Sequence, residues 1–300
     1  GMRVVVAVDR SDPAFKLVQA VTRLYTLAEL TLVHAVDHGL AQYPATGPGG
    51  RGTVPEELRP LLESGQKLLA QAAKSVPAEL NLVVKQVCEL GNAARVIIHT
   101  AQIEAADLIV TGSRELSSEE REFTSGSVSH RIASHASCST LVVKHMPEQI
   151  RRVLVAVNGI DDAAQIQRWL LANPFHDPVE MTVLHVVPTL KAYREDSSLA
   201  QHDRFHQNLH EDSVRWGQQL VDTVAAKLSA PAAQAPAAER YQAHGLVASG
   251  DPPDVIVRES AQQDLVIVGA YGFQSEARFI YGSVTQKVLH RVAVPVLVIG

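Results

Sequence analysis

The hydrophobic residues of this chain fall into short continuous runs, separated by longer stretches with helical periodicity. The runs Val4-Val5-Val6-Ala7-Val8 and Leu265-Val266-Ile267-Val268 are apolar throughout rather than alternating with polar residues. Strands of this kind are covered on both faces, as in a parallel sheet flanked by helices. The expected fold is therefore α/β. In the first half the pattern predicts strands near 3–8, 30–36, 80–87, 106–111 and 139–144, and helices near 12–27, 56–75, 92–104 and 127–136.

The same series of segments occurs twice, in the same order. RVVVAVDRSDPA at 3–14 matches RVLVAVNGIDDA at 152–163, and SGSVSHRIASHASCSTLVVK at 125–144 matches YGSVTQKVLHRVAVPVLVIG at 281–300. A length of 300 residues suits two domains of ordinary size. We therefore predict a duplicated domain, with one copy at 1–147 and the other at 148–300.

Three glycines in the second copy suggest a ligand site. The segment GAYGFQSEARFIYGS begins at Gly269, contains Gly272, and ends with Gly282 and Ser283. The first glycine ends a buried strand, and the last opens a helix. In a doubly wound sheet, ligands lie beyond the carboxyl ends of the strands, and a helix N-terminus attracts phosphate. The spacing favours a nucleotide polyphosphate, although turn glycines and a capping serine would give the same pattern.

With these motifs the chain resembles the universal stress protein family in its tandem two-domain form. The resemblance covers both halves nearly end to end, and segment 269–283 matches the family's G-2x-G-9x-G-[ST] nucleotide motif without a gap. It implies a doubly wound parallel sheet in each half, with five strands in the order 3-2-1-4-5. It also implies a pseudo-two-fold axis relating the halves, with the last strands, near 140–144 and 296–299, paired antiparallel.

The resemblance further implies ATP as the cofactor, and Mg²⁺ can accompany it. The adenine would lie near Asn158 and the backbone of Val186, and the triphosphate near the helix that Gly282 and Ser283 open. The full set of expected binding residues is Asn158, Val186, Gly269, Gly272, Gly282, Ser283 and Val284.

The two copies differ at the positions that matter for this site. The first keeps Asp9 where the second has Asn158, which can still donate and accept hydrogen bonds. The first, however, has Glu115 in place of the middle glycine, with further glutamates nearby. A carboxylate beside a triphosphate costs about 1 kcal/mol or more per close pair. We therefore expect a degenerate motif in the first domain and one ATP per chain, in the second.

Composition excludes several partners. The net charge of −5 provides no basic footprint for nucleic acid or an anionic membrane, and no apolar run approaches the length of a membrane span. A strand-like run begins near the N-terminus without a leader pattern, and the two cysteines, Cys88 and Cys138, form no CxxC pair. These features favour the cytoplasm. His202, His206 and His210 could share a helical face, but we interpret them as solvated and expect no metal site.

The sequence contains no GxSxG, HExxH or kinase-like HRD motif, so we assign no catalytic residue. We expect a stress-response protein that binds ATP and acts through nucleotide-dependent conformation or an unidentified protein partner. The catalytic activity we expect is at most slow hydrolysis of ATP. Two alternatives stay open: an interaction scaffold with vestigial pockets, and a weak ATPase or adenylyl-transfer enzyme. Self-association into a homodimer also stays open.

Overall fold

The computed structural model describes residues 1–10, 14–37, 54–113, 128–189, 200–230, 241–270 and 283–300. For residues 200–206 and 283 it describes the backbone only. The chain divides into two compact units, Gly1–Met146 together with Gly300, and Pro147–Ile299.

The described part of the first unit contains five strands and four α-helices. The strands are β1 (Met2–Ala7), β2 (Leu27–Val36), β3 (Val83–Leu90), β4 (Leu108–Gly112) and β5 (Ser139–Val143). The helices are α1 (Ala14–Leu24), α2 (Arg59–Ala73), α3 (Ala93–Ile103) and α4 (Val128–His135). The strands form a parallel sheet in the order β3-β2-β1-β4-β5.

The described part of the second unit repeats this arrangement. Its strands are β6 (Arg152–Ala156), β7 (Val179–Val187), β8 (Tyr241–Ser249), β9 (Leu265–Gly269) and β10 (Val296–Ile299). Its helices are α5 (Ile160–Ala172), α6 (Ala200–Ser229), α7 (Pro252–Ser260) and α8 (Ser283–Arg291). The strands are parallel in the order β8-β7-β6-β9-β10, so the predicted topology is confirmed in each unit.

The apolar runs form the centre of each sheet, as their composition predicted. Val5 and Val6 of β1 and Val155 of β6 are completely buried. Strands that are covered on both faces need helices in every crossover, and the helices flank the sheet for that reason.

The third strand begins later than the sequence pattern predicted. The prediction placed it near 80–87, whereas Ala78–Leu80 form a turn of 3₁₀ helix and the strand begins at Val83. Asn81 ends this turn with φ 46° and ψ 39°, in the left-handed region. Asparagine tolerates the left-handed conformation better than most residues do. A residue in that conformation cannot lie within a strand. The apolar residue Leu80 therefore belongs to the turn.

Two matched glycines connect the third strand of each unit to the following helix. Gly91 has φ 146° and Gly250 has φ 151°, values that L side chains rarely adopt. A Cβ at Gly250 would also lie 2.9 Å from Cγ2 of Val255, and one at Gly91 would lie 3.3 Å from Cγ2 of Val96. The chain reverses here through backbone that only glycine adopts without strain.

The longest described helix is α6, with 30 residues and a largely polar surface. The helices of the described ranges include none with the length and apolar character needed to cross a membrane.

Strand order creates one reversal point in each unit. In the first unit β1 lies between β2 and β4, and in the second β6 lies between β7 and β9. The connections that follow β1 and β4, and likewise β6 and β9, lead in opposite directions. A crevice therefore opens beyond the carboxyl ends of these strands. In the second unit this point lies beside Asn158 and Gly269.

Candidate functional site

The second unit contains a cavity of about 860 Å³ beyond the carboxyl ends of β6 and β7. Its walls come from the turn after β6, from the end of β7 and the residues that follow, and from the N-terminal half of α6. The lining residues are Asn158, His185, Val186, Val187, Pro188, Thr189, Gln207, Leu209, His210, Glu211, Asp212, Ser213 and Trp216. Asn158 and Val186, both predicted from the sequence to contact the adenine, therefore line one cavity.

The turn that presents Asn158 is held by a carboxylate. Asp162 accepts hydrogen bonds from the backbone N–H groups of Asn158 at 2.7 Å, Gly159 at 2.7 Å and Ala163 at 2.9 Å. These donors include N–H groups that the start of α5 leaves without helical partners. Burial raises the pKa of Asp162, and the three N–H donors oppose that rise. The carboxylate of Asp162 therefore stabilises the backbone of this turn.

His185 connects β7 to the end of β6. Its Nδ1 lies 3.0 Å from the carbonyl oxygen of Val157, and its side chain is buried. Because a carbonyl can only accept, Nδ1 carries the proton in this contact. His34 makes the same contact with Val8 in the first unit, at 2.7 Å. Both histidines are therefore buried with a backbone partner, and His185 also lines the cavity.

Helix α6 supplies the outer wall. The rings of Trp216 and His185 form a T-shaped pair, with their centroids 5.4 Å apart and an interplanar angle of 74°. The next residue, Gly217, is buried against the same histidine: a Cβ there would lie 2.6 Å from Cδ2 of His185. The missing side chain at Gly217 therefore allows α6 to approach β7 closely and brings Trp216 to the cavity.

The start of α8 lies against the end of β9. Thr285 is buried, and its hydroxyl donates a 3.1 Å hydrogen bond to the carbonyl of Gly269. Val284 is also buried, and α8 begins at Ser283. The N-terminus of a helix carries unpaired N–H groups and a partial positive charge. This positively polarised end of α8 therefore lies beside β9, the strand next to β6.

Some predicted residues lie outside the described part of the chain. Gly272 and Gly282 are among them, and the side chain of Ser283 is not described. In the first unit the same is true of Glu115 and of the Gly126–Ser127 pair. The comparison of the glycine loops of the two halves therefore stays a prediction.

The described residues of the two units nevertheless differ at the corresponding cavity wall. Gly65 of α2 packs on His34 as Gly217 packs on His185, since a Cβ at Gly65 would lie 2.8 Å from Cδ2 of His34. Ser64 therefore corresponds to Trp216. Its hydroxyl accepts a 2.7 Å hydrogen bond from the guanidinium of Arg10.

Sequence alignment of the repeats pairs Arg10 with Gly159. The turn after β1 is therefore joined to α2 by an arginine–serine bridge. The matched positions of the second unit are Gly159 and Trp216, and Trp216 lines the cavity.

The sequence pattern did not predict that α6 contributes to the cavity wall. The sequence pattern predicts His210 as a solvated helix residue, and in the structure its Nε2 lies 3.3 Å from the hydroxyl of Ser249. The side chains of His202 and His206 are not described. One signal could have identified α6: GQKLLAQAA, beginning at Gly65, aligns with GQQLVDTVA, beginning at Gly217. That match would have placed Trp216 beside the second-strand histidine.

Comparison with known proteins agrees with the duplicated architecture. A sequence model of the universal stress protein family matches residues 2–144 and again residues 149–300. Universal stress protein YxiE of Bacillus subtilis is 30% identical over 149 residues, which cover 47% of this chain and 98% of that protein. Universal stress protein Rv2005c of Mycobacterium tuberculosis is 24% identical over 281 residues, covering 90% of this chain and 86% of that protein.

Among solved structures, a universal stress protein from Archaeoglobus fulgidus matches with a TM-score of 0.62 and 18% identity. The match covers 99% of this chain and 96% of that one. At this identity the likeness supports the fold.

Proposed function

This chain belongs to the universal stress protein family, and on that premise we propose that its second unit binds one ATP at the carboxyl ends of β6, β7 and β9. The observation that carries the proposal is that Asn158, which follows β6, and Val186 of β7 line one cavity. Strand β6 pairs with β9, which ends at Gly269. The cavity's 860 Å³ lies within the range of ordinary ligand pockets.

The base would enter between the end of β7 and the turn after β6. Val186 is 4% exposed and offers an apolar surface with backbone donors and acceptors, while Asn158 adds an amide that both donates and accepts. Asp162 holds this turn through its three backbone contacts, so the amide is presented from a rigid position. This combination of an apolar surface with hydrogen-bond donors and acceptors suits adenine, whose edge carries both donors and acceptors.

The triphosphate would extend toward α8. The helix begins at Ser283 beside Gly269, and its N-terminal N–H groups suit an anion. Gly272 and Gly282 would let the loop backbone approach the phosphates, and Mg²⁺ would neutralise part of their charge. Nucleotide binding would thereby change the surface that a protein partner meets.

Isothermal titration of the full chain with Mg-ATP tests the proposal. We expect a stoichiometry near one. Gly272→Glu, which installs the residue of the first half, should remove most of the binding, whereas Asp9→Ala should change the affinity little. Circular dichroism of both variants serves as the folding control.

Two results would count against this assignment. A stoichiometry near two, or binding that survives Gly272→Glu and is lost with Asp9→Ala, would move the site to the first half. No heat of binding together with no nucleotide released from the gently purified protein would favour a scaffold with vestigial pockets.

A further inference from the structure

We infer that Trp216 contacts the base of the bound nucleotide and is a specificity-determining residue of the second unit. The inference rests on the proposed function, and it concerns a residue of α6 that lies outside the glycine motif. It depends on four features: the packing of α6 on β7, the exposure of the indole, the charges on α6, and the residues at the matched positions of the first unit.

The position of Trp216 is fixed by its neighbour. Gly217 brings the helix so close to β7 that a Cβ would lie 2.6 Å from the His185 ring. His185 is itself held by the carbonyl of Val157, one residue before Asn158. The indole and this ring form a T-shaped pair at a centroid distance of 5.4 Å. Trp216, His185 and Asn158 therefore form one continuous wall of the cavity.

The indole is supported but not covered. Trp216 is 43% exposed, although it lies in a concave site and contacts a buried aromatic ring. A large aromatic surface left open in a pocket gains most from a flat, partly apolar partner, and every nucleobase has such a face. The exposed surface therefore suits a base better than a sugar or a phosphate.

Charge on α6 directs the rest of the nucleotide away from this wall. Glu211 and Asp212 line the same cavity and are strongly exposed. Their partner Arg215 lies 3.3 Å from Asp212 and 4.0 Å from Glu211, so one cation faces two carboxylates. Phosphates would be repelled here and attracted to the start of α8. The base would therefore lie at α6.

The first unit has a different wall at the matched positions. Ser64 replaces the tryptophan, and it is bonded to Arg10, the residue that corresponds to Gly159. A serine offers no stacking surface. The difference between the units therefore extends beyond the glycine loops and falls on residues that the structure describes.

The inference is tested in the full-length chain with three variants. Trp169→Phe leaves Trp216 as the only tryptophan, since the chain has two. Titration of this variant with Mg-ATP should then change the fluorescence of Trp216 in a saturable way. Trp216→Ser, which installs the residue of the first unit, should weaken the affinity for ATP about tenfold. Trp216→Phe keeps an aromatic face and should lose only a small part of that affinity.

A control ligand separates a base contact from general damage to the fold. Adenosine should lose affinity for Trp216→Ser by the same factor as ATP, because the two share the base. The ratio of their affinities should therefore stay as in the wild type. A loss confined to ATP would assign Trp216 to the phosphates and overturn the inference.

The failure of the two proposals can be distinguished. If the wild type binds Mg-ATP but neither Trp216 variant changes the affinity and the fluorescence is unaffected, the contact with the base is wrong and the proposed function stands. If the wild type binds neither ATP nor adenosine, both proposals are wrong. If Trp216→Ser does not fold, Trp216→Phe and the fluorescence titration decide.

Discussion

Replacing Gly217 with alanine should destabilise the second unit, although alanine is the better helix former. In a helix interior, Gly→Ala normally stabilises by about 1 kcal/mol. Here the new Cβ would lie 2.6 Å from Cδ2 of His185 and 3.5 Å from its Cγ and Nε2. The ring would have to move by roughly 1 Å to restore ordinary van der Waals contact. The ring cannot move freely, because it is buried and its Nδ1 is hydrogen-bonded to the carbonyl of Val157.

The two effects oppose each other, and their sizes decide the sign. Overpacking of a well-packed core typically costs about 1–3 kcal/mol. Subtracting the gain in helix propensity leaves a net loss of about 1 kcal/mol in the free energy of unfolding. In a His185→Ala background the obstacle is absent, so the same substitution should stabilise by about 1 kcal/mol. The sign reversal corresponds to a coupling energy of about 2 kcal/mol.

Urea unfolding followed by tryptophan fluorescence is the appropriate assay. Both tryptophans, Trp169 and Trp216, belong to the second unit, so the signal reports on that unit. The four proteins of the cycle are the wild type, each single variant and the double variant. Stabilisation of the wild type by Gly217→Ala, or equal effects in both backgrounds, would refute the proposed packing of α6 on His185.

Three further predictions follow from other contacts. Gly250→Ala should destabilise the second unit by about 1–3 kcal/mol in the same urea assay, because the residue has φ 151° and its Cβ would lie 2.9 Å from a methyl group of Val255; an unchanged midpoint would contradict this. Asp162→Asn should lower the free energy of unfolding by about 1–2 kcal/mol, since an amide accepts hydrogen bonds with only one of its two terminal atoms. The same substitution should weaken Mg-ATP binding. Burial raises the pKa of the Cys138 thiol to about 11, so its alkylation by iodoacetamide, measured by peptide mass spectrometry, should rise about tenfold per pH unit between about pH 8 and pH 10. Labelling of Cys138 that levels off near pH 9 would show an ordinary thiol.

The order of apolar and polar residues predicted the α/β class and the duplication, and the resemblance to the family implied the strand order. Continuous apolar runs such as Val4 to Val8 identify strands that are covered on both faces, and β1 and β6 are central and buried as that pattern requires. Gly91 and Gly250 recur at the same place in both halves because the turns need positive φ. The apolar runs and the turn glycines reflect local backbone preferences and periodicity, which the order of residues records directly.

Element boundaries depended partly on local detail that periodicity does not contain. The third strand begins at Val83 because Asn81 adopts a left-handed conformation after a turn of 3₁₀ helix. The apolar character of Leu80 indicated a strand, but a single backbone conformation decided otherwise.

The residues that form the walls of the cavity could be identified only from the packing of the folded chain. Periodicity reports that one face of α6 is buried, but it does not say which strand the helix meets or how closely. The approach of α6 depends on the fit between Gly217 and the His185 ring, which are separated by more than 30 positions in the chain. The exposed indole of Trp216 owes its place at the cavity to that fit, because long-range packing is set by the shapes of both partners together.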